Sequence, residues 1–424
     1  MAKNKVTLST ALPLPGKQGF CSLPQSAAQC TRCNACAQSC PAYLLCPQEM
    51  TSPRGRVQLI RLLTDGKFKV FSDDPVLTHM AGSCFLCARC SAACAAQIPV
   101  AHQMLALRRE IGLQLMPAGV RILMRLHAVA PGLFDKIVRS GLCLRRLGMA
   151  ALCKLFLPEW MRHAHTILPK KTGSLRSLLI RHNISLTPQT PQAVYLPSLY
   201  AQYADPQTGL LACQLLQEKN PVVLFGYATG LFEYLYGSRT RCLKAAKKLL
   251  RAWEQIAGKR NLPLITDSIE VYSFLKNYPL LFNSIPGWKQ RAEQFAAQVR
   301  FIIDGDFPAQ PQQESGRVAL DESSLLFTAE QPAERAREIL LTTYGTNLLE
   351  CAYSRFPLPA AGSSFALKKQ SADLLHRQIK DIERNEVEKI YCLSAWAALE
   401  LNAALRRHYP KAQAQFIVCL GKKI

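Results

Sequence analysis

Residues 30–41 read CTRCNACAQSCP, and their four cysteines follow the spacing C-x₂-C-x₂-C-x₃-C-P. Three thiolates at this pitch can hold three corners of one [4Fe–4S] cube if the backbone loops tightly around it, whereas the fourth thiolate is directed away from that cube. A complete cluster then needs a fourth ligand from elsewhere in the chain. The stretch therefore predicts one half of a two-cluster domain.

A second run with the same cysteine spacing occupies residues 84–94 and reads CFLCARCSAAC. Each run needs a remote fourth ligand and each offers one, so the assignment is reciprocal. The ligands predicted for the first cluster are Cys30, Cys33, Cys36 and Cys94. The ligands predicted for the second cluster are Cys84, Cys87, Cys90 and Cys40.

The second run departs from the first at Ala95, where the first run has Pro41. Proline fixes a backbone angle and removes an N–H donor, which helps to turn the chain away from a cluster, but it supplies no ligand. We expect Ala95 to loosen the turn without abolishing cluster binding. The expected cost is a modest rise in cluster lability or a shifted potential.

Zinc and disulfides are the alternatives for these cysteines. Structural zinc sites usually pair two C-x₂-C elements rather than three cysteines at this pitch, so the spacing disfavours zinc. Disulfides are disfavoured because the chain shows no secretory signal and a reducing cytoplasm suits many closely spaced thiols. Cys21 and Cys46 are interpreted as structural or spare, since eight ligands are already assigned.

The composition describes a large globular protein that is basic overall. The 424 residues are 49% hydrophobic and include 17 cysteines, ten of them before residue 95, and the formal net charge is +23. No apolar run approaches the ~20 residues that span a bilayer. We therefore expect a cytoplasmic protein of two or three domains, either soluble or peripheral on the inner face of the cytoplasmic membrane.

The expected fold class is α+β and multidomain. Residues 1–112 form a helical ferredoxin domain with two [4Fe–4S] clusters, because the 43 residues between Cys40 and Cys84 contain helix signals. One helix begins at Thr51 or Ser52 as N-cap with Pro53 next, and ends at Gly66. A second begins at Asp74 or Pro75. The apolar face predicted for the first helix comprises Val57, Ile60, Leu62 and Leu63.

The remainder of the chain predicts two diverged copies of one α/β unit, at residues 191–305 and 317–424. Strands are predicted at AVYLP (193–197), PVVLF (221–225), LPLIT (262–266), SLLFT (324–328), TNLLE (346–350) and KIYCL (389–393). Helices are predicted at 205–218, 241–257, 268–278, 332–344, 366–384 and 395–409. Tyr278-Pro279 and Tyr409-Pro410 are expected to close a helix in each copy. Residues 306–317 form the predicted linker.

Residues 113–190 form a basic helical middle region. Residues 101–186 contain fourteen Lys or Arg residues but only three acids, Glu110, Asp135 and Glu159. These helices either pack on the α/β units with a solvated basic face or present a surface to an acidic protein or an anionic membrane. Nucleic acid is not expected as a partner, because the basic segment lacks interleaved aromatic side chains.

The chain resembles the iron–sulfur subunit of glycolate oxidase and, more broadly, the related subunit of anaerobic glycerol-3-phosphate dehydrogenase. The resemblance is carried by residues 30–41, SPRGR (52–56), the second run with QIPV (97–100), DPQTGLLACQLL (205–216) and YSFLKNYPLLF (272–282). It implies a non-catalytic electron-transfer subunit of an oxidoreductase complex. Electrons would pass from a flavoprotein that oxidises a 2-hydroxy acid, of the glycolate or D-lactate type, toward a quinone or another acceptor.

The resemblance also places Arg54 and Arg56 close to the clusters. Positive charge there would stabilise the more negative, reduced cluster and raise its potential. The alternative is that both arginines merely cap or pair on the helix surface.

The C-terminal repeats depart from this family. Each family repeat carries a Cys-Cys-Gly element and a later cysteine, whereas this chain has FGYATG (225–230) and PLPAAG (357–362) at those places. A third cluster of the usual kind is therefore not expected. Three remaining cysteines are interpreted as packing residues, with a shared site as the alternative: Cys351, Cys392 and Cys419. A metal site at His163 and His165 is disfavoured because the two diverge on a helix.

Two other functions stay open on sequence alone. One is the electron-transfer subunit of a glycerol-3-phosphate or heterodisulfide-type reductase complex, which would share the same relay. The other is a non-redox basic binding protein that is stiffened by its clusters.

Overall fold

The protein is described from a computed structural model that covers residues 14–16, 19–21, 23–65, 74–146, 158–168, 173–283, 285–304, 316–322, 330–356 and 367–423. It combines many helices with two small parallel sheets. Residues 14–16 (β1, Leu14–Gly16) pair antiparallel with β2 (Gly19–Cys21) ahead of the first helix.

Six helices surround the cysteine runs: α1 (Leu23–Ala28), α2 (Pro41–Leu45), α3 (Pro53–Thr64), α4 (Pro75–Gly82), α5 (Arg89–Ala92) and α6 (Val100–Glu110). The start signals read from the sequence are confirmed. The Ser52 hydroxyl accepts the Gly55 N–H at 2.9 Å, and the Asp74 carboxylate accepts the Leu77 N–H at 2.9 Å, so each side chain caps its helix.

Helix α3 is the centre of this region and contacts both α1 and α6. Its inward face buries Val57, Ile60 and Leu63, whereas Leu62 is only half-buried and was wrongly included in that face. The helix ends at Thr64, and Gly66 lies outside the described residues.

Four helices form the middle region: α7 (Ala118–Val129), α8 (Pro131–Arg146), α9 (Glu159–Ile167) and α10 (Leu175–Arg181). Helices α7 and α8 are joined by Ala130 alone and pack against each other. Helix α9 contacts a helix of the C-terminal region.

The first parallel sheet contains β3 (Val194–Leu196), β4 (Val222–Val223), β5 (Leu264–Thr266) and β6 (Val299–Phe301), in the spatial order β4-β3-β5-β6. Its helices are α11 (Pro206–Leu215), α12 (Leu231–Tyr236), α13 (Arg239–Ala257), α14 (Ile269–Lys276), α15 (Tyr278–Phe282) and α16 (Lys289–Gln298). Strands β3, β4 and β5 are fully buried, which explains their continuous apolar sequence.

The second parallel sheet contains β7 (Val318–Asp321), β8 (Leu348–Leu349), β9 (Lys389–Cys392) and β10 (Gln413–Phe416), in the spatial order β10-β9-β7-β8. Its helices are α17 (Glu330–Tyr344), α18 (Lys368–Arg384) and α19 (Ala395–His408). The two sheets have the same strand order. In each, the strand that comes second along the chain lies at one edge, and the first, third and fourth strands follow it across the sheet.

Short helical turns complete the described chain: 3₁₀ turns at Glu49–Thr51, Gln217–Lys219, Gly258–Arg260, Gly345–Asn347 and Ile417–Lys423, and a π turn at Tyr200–Ala204.

The two sheet regions share one apolar core and a buried polar link. Ser268 and Ser394 each follow the third strand of their sheet and each caps the next helix. Both hydroxyls donate to the buried carboxylate of Glu270, with a distance of 2.7 Å from Ser268. A single carboxylate therefore joins equivalent positions of the two regions.

Several predicted elements need correction. Tyr278-Pro279 does not close a helix: α14 ends at Lys276 and Pro279 lies in the first turn of α15, where a missing N–H has no cost. Helix α11 ends at Leu215, before the predicted limit at residue 218. Strands β6, β7 and β10 were not predicted, and the predicted strand at 324–328 lies outside the described residues, as does most of the linker.

Candidate metal centre

The two cysteine runs form loops with the same backbone conformation. The residues on either side of the second cysteine in each run have positive φ angles, and these are Arg32 (62°), Asn34 (65°), Leu86 (57°) and Ala88 (58°). Such angles cost a non-glycine residue about 1–3 kcal/mol each. Alternating backbone handedness turns successive N–H groups to one side and forms a concavity suited to an anionic iron–sulfur site.

The four thiols predicted to hold the first cluster share one neighbourhood. Burial is the main cause that raises the pKa of Cys36 to about 11, and the negative charges of three other thiols raise it as well: Cys94, Cys30 and Cys33. Cys94 belongs to the second run, so only the fold brings it to this trio. The structure therefore brings these four residues together.

The other four thiols form a second neighbourhood. The pKa of Cys87 is raised to about 12, mainly by burial and further by the charges of Cys40 and Cys84. The pKa of Cys90 is raised well above its usual value by burial and by the charges of Cys87, Cys84 and Cys40. Thiols that oppose one another's ionisation can be held together as thiolates only where cations compensate them. The iron ions of a cluster would supply that compensation.

The thiols share neighbourhoods but are not arranged as finished metal sites. Across the described ranges, the eight cysteines of the two runs included, no group of three or more His, Cys, Asp or Glu side chains has a geometry that could hold a metal ion. Cys46 is half-buried at the C-cap of α2, and the side chain of Cys21 lies outside the described residues.

Arg56 is a fully buried cation beside the second set of thiols. Its side chain is 1% exposed and donates to the Cys40 thiol at 3.6 Å, to the Ser83 hydroxyl at 2.9 Å and to the Met80 carbonyl at 3.2 Å. Burial opposes the charge of Arg56, but the thiolate charges of Cys84, Cys40 and Cys90 outweigh it and raise the guanidinium pKa. Arg56 therefore lies beside the thiols that are predicted to hold the second cluster.

The remaining residues of SPRGR explain why the motif is needed. Ser52 caps α3, and Pro53 begins it. A Cβ atom on Gly55 would lie 2.1 Å from the Glu49 carbonyl oxygen, so only glycine lets α3 approach the preceding turn this closely. Together they hold the helix so that Arg56 points at Cys40.

Arg54 behaves differently from Arg56. It is partly exposed and forms a two-point ion pair with Glu49, with N–O distances of 3.0 and 2.7 Å. This matches the alternative interpretation, pairing on the helix surface. Exposed pairs of this kind contribute at most about 1 kcal/mol to stability.

Arg108 is a second buried guanidinium near the second set, and it was not singled out from the sequence. It donates to the carbonyl groups of Ala81 (2.8 Å), Gly82 (3.3 Å) and Cys84. Its charge interacts with the Cys84 thiolate and with Arg56. The sequence offered one signal for this role, namely an arginine near the end of the helix that follows the second cysteine run. Arg108 was instead counted among the basic residues between positions 101 and 186.

The two sets of thiols differ in exposure. All members of the second set are buried, with exposed fractions of 6–8% for Cys40, Cys84, Cys87 and Cys90. Cys33 of the first set is exposed, and its other three members are half-buried. The second set is covered in part by apolar side chains from the C-terminal region: Phe356, Leu367 and Leu374.

The chain also leaves the two runs differently. Pro41 is the first residue of α2, so a helix begins immediately after Cys40. After Cys94 the chain makes a turn closed by a 2.8 Å hydrogen bond from the Gln97 N–H to the Cys94 carbonyl, and α6 begins only at Val100 after Pro99. After the second run the next helix, α6, therefore begins later than α2 does after the first run. A proline, Pro99, still precedes its first residue.

The C-terminal cysteines do not gather at one site. Cys351 and Cys392 belong to one apolar cluster, and the Asp321 carboxylate raises the pKa of both, after burial. Cys419 belongs to a different cluster, where it packs with the core of both sheets. PLPAAG lies outside the described residues.

Of the pair His163 and His165, the structure describes the side chain of His163. The His163 ring contacts the Glu400 carboxylate at 2.8 Å and lines a cavity of about 280 Å³ between α9, α18 and α19. The side chain of His165 lies outside the described residues.

Within the part of the chain that is described, no helix is long and apolar enough to cross a membrane.

Comparison with known proteins identifies the class of the cysteine region. Residues 26–98 match the family model of the 4Fe-4S dicluster domain. This range includes both cysteine runs, Arg56 and the helices between the runs. The N-terminal region is therefore a domain of the class that binds iron–sulfur clusters.

Two curated relatives extend the comparison. Over 155 residues the chain is 30% identical to the glycolate oxidase iron-sulfur subunit of Escherichia coli (strain K12), which covers 35% of each chain. Over 303 residues it is 24% identical to the probable glycolate oxidase iron-sulfur subunit of Bacillus subtilis (strain 168), which covers 66% of each. Each alignment spans less than two thirds of the relative. Over these stretches the chain is similar to iron–sulfur subunits of glycolate oxidase.

Proposed function

We propose that this chain is the electron-transfer subunit of a flavin-linked 2-hydroxy-acid dehydrogenase, of the glycolate or D-lactate type. The observation that carries the proposal is the nearness of Cys94 to Cys36 of the first run and of Cys40 to Cys87 of the second, which supports an exchange of one ligand between the runs. The names of the two relatives support the assignment to a glycolate oxidase complex. The chain itself carries no substrate chemistry in this proposal.

The thiols would hold two [4Fe–4S] clusters, one on Cys30, Cys33, Cys36 and Cys94 and the other on Cys84, Cys87, Cys90 and Cys40. When bound, each cluster would take up and release one electron at a time. The protein's contribution is electrostatic. The guanidinium groups of Arg56 and Arg108 offset negative charge in a buried region, and this favours the reduced state there.

The difference in exposure gives the relay a direction in space. A flavoprotein can approach the first set of thiols, since Cys33 and its neighbours Arg32 and Ala35 are exposed. The second set lies behind it, under Phe356 and Leu374. Electrons therefore enter or leave at the surface around Cys33, and the buried set connects that surface to the interior.

The C-terminal regions act as a scaffold in this proposal. Their equal strand orders and the shared Glu270 link support two diverged repeats at 191–305 and 317–424, after the ferredoxin domain at 1–112 and the basic region at 113–190. In the first repeat, the Asp267 carboxylate at the end of β5 accepts the Ser198 N–H at 2.6 Å and the Ser198 hydroxyl at 2.7 Å. The end of β5 is thus closed by the protein's own hydrogen bonds.

The proposed partners are the flavoprotein and the membrane that contains the acceptor, with the chain held peripherally on the inner face of the cytoplasmic membrane. The test is anaerobic purification of the tagged chain from its native host. We expect a brown complex with a flavoprotein whose visible absorption bleaches when a 2-hydroxy acid is added, as it does with dithionite. A chain that bleaches with dithionite but copurifies with no flavoprotein would contradict the proposed partner.

A further inference from the structure

The exposed face of the α7–α8 pair is apolar to an unusual degree. Half of the large apolar side chains that are exposed among the described residues lie on these two helices: Ile122 (65%), Val129 (78%), Leu133 (51%), Ile137 (47%) and Leu144 (48%). Contiguous exposed apolar surface on a soluble protein marks an interaction site. The spacing of seven residues on α7, and of four and seven residues on α8, places them on one face of each helix.

Basic side chains accompany these apolar ones. Arg125 lies on the same face of α7 as Ile122 and Val129, and Lys136 and Arg139 are exposed on α8. The only acid in the pair, Asp135, is engaged by the Tyr203 hydroxyl at 2.9 Å and by Arg139 at 3.6 Å. Asp135 offsets the charge of Arg139, so the face presents chiefly the positive charges of Arg125 and Lys136 around aliphatic groups.

The pair is anchored to the protein near its connecting residue. His127 and Phe134 are the buried residues of the two helices, with ring centroids 4.8 Å apart, and Phe134 packs edge-on against Tyr203 at 5.8 Å. Tyr203 follows the first strand of the first sheet region. The α7–α8 pair thus contacts the body of the protein through the side that carries His127 and Phe134. Within the described part of the chain, the aliphatic side chains on its other side are exposed.

We propose that this face of the α7–α8 pair docks on an anionic lipid surface and lies in its headgroup region. Amphipathic helices with basic and aliphatic residues bind this way, by apolar burial together with attraction to anionic lipid. A protein partner is less favoured, since protein interfaces are enriched in aromatic residues and both aromatic rings of the pair, His127 and Phe134, are buried. The proposal deepens the peripheral membrane association in the proposed function but does not depend on the clusters.

The test is flotation of the full-length, iron-loaded chain with vesicles. We expect binding to phosphatidylcholine vesicles containing phosphatidylglycerol, much weaker binding to pure phosphatidylcholine, and a loss of affinity at high salt. Replacing Arg125 and Lys136 by Gln is expected to weaken binding roughly 25-fold, at about fivefold per charge. The double variant Ile122→Ser, Ile137→Ser is expected to weaken it at least about tenfold.

Matched variants elsewhere on the surface control for general effects. Ile180→Ser with Leu341→Ser removes aliphatic groups of similar exposure, and Lys244→Gln with Lys380→Gln removes two exposed charges. These are expected to bind vesicles like the wild type. The proposal is overturned if the wild type ignores anionic vesicles, if the control variants lose as much affinity as the α7–α8 variants, or if the α7–α8 variants keep vesicle binding and instead lose the flavoprotein. Unchanged iron content and circular dichroism show that a variant is folded, and a colourless wild type that still binds vesicles would contradict the proposed function alone.

Discussion

The two cysteine runs have the same spacing and the same backbone conformation but different surroundings. The first set of thiols lies nearer the surface, with Cys33 exposed, whereas the thiols grouped around Cys87 are buried and accompanied by Arg56 and Arg108. Spacing decides which atoms can bind a cluster. The surroundings decide how a cluster exchanges electrons, since exposure and nearby charge set its potential and its accessibility.

The largest expected effect comes from breaking the exchange of cysteines between the runs. Cys94→Ser is expected to remove the surface cluster and Cys40→Ser the buried one, although each residue lies in the other run. Each variant should lose about half of its iron, roughly four ions per chain. Iron analysis and electron paramagnetic resonance of the remaining cluster check this result, with Cys143→Ser as the control that keeps both signals. If Cys94→Ser instead removed the signal of the buried cluster, the exchange would be wrong.

The next effect concerns thiol reactivity after the iron is removed. A backbone hydrogen bond from Ala35 is the main cause that lowers the pKa of Cys33, whereas burial raises that of Cys87 to about 12. The thiolate is the nucleophile, so at pH 8 iodoacetamide should alkylate Cys33 at least about 100 times faster than Cys87. The alkylation rate of Cys33 should also reach its plateau at a lower pH than the rate of Cys87 does. Peptide mass spectrometry follows both residues, and equal rates would show that the two environments do not differ as described.

A smaller effect is expected at the two buried arginines. Replacing Arg56 or Arg108 by Gln removes a positive charge near the buried thiols and should lower the potential of that cluster by about 60–120 mV, which is roughly 1.4–2.8 kcal/mol. The potential of the surface cluster should hardly change. Redox titration followed by electron paramagnetic resonance separates the two.

Two further variants separate charge from structure. Arg108→Lys keeps the charge but loses hydrogen bonds to the carbonyl groups before the second run, so its potential should stay near that of the wild type while stability falls. Arg54→Gln breaks only the surface pair with Glu49 and should leave both potentials unchanged. A shift as large for Arg54→Gln as for Arg56→Gln would contradict the distinction between the two arginines.

The smallest effect is expected where the runs differ in sequence. Ala95→Pro would give the second run the proline of the first and reduce the freedom of the unfolded chain, for an expected gain of about 0.4–1 kcal/mol. Pro41→Ala should cost a similar amount. The rate of bleaching in air, measured for each cluster, tests both changes. Faster loss of the surface cluster in Ala95→Pro would show that the turn after Cys94 needs a backbone angle that proline does not allow.

The local features were predictable from the sequence because they depend on neighbouring residues. The caps at Ser52 and Asp74 and the buried strands β3 and β5 follow from short patterns. Strand β7 was missed because VALD is short and adjoins a segment that reads as a linker, and its pairing with β8 and β9 makes it a strand. Tyr278-Pro279 was misread because proline can start a helix as readily as it can follow one.

The features that depend on tertiary contacts could not be predicted. Arg108 has no local signal for a buried role, and its position follows from the packing of α6 on α4. The different exposure of the two sets of thiols also arises from remote parts of the chain, since Phe356 and Leu374 pack with Cys40 and Cys87 of the second set. The identical cysteine spacing of the two runs therefore predicts neither the buried position of Arg108 nor the difference in exposure between the thiols.

The central claim is that two [4Fe–4S] clusters are each held by three thiolates of one run and one of the other. Chemical analysis and Mössbauer spectroscopy of the anaerobically purified wild-type chain test it most directly. The account predicts about eight iron and eight sulfide ions per chain, in two cubane clusters of similar amount. One or two zinc ions per chain without sulfide, or iron sufficient for only one cluster, would contradict it.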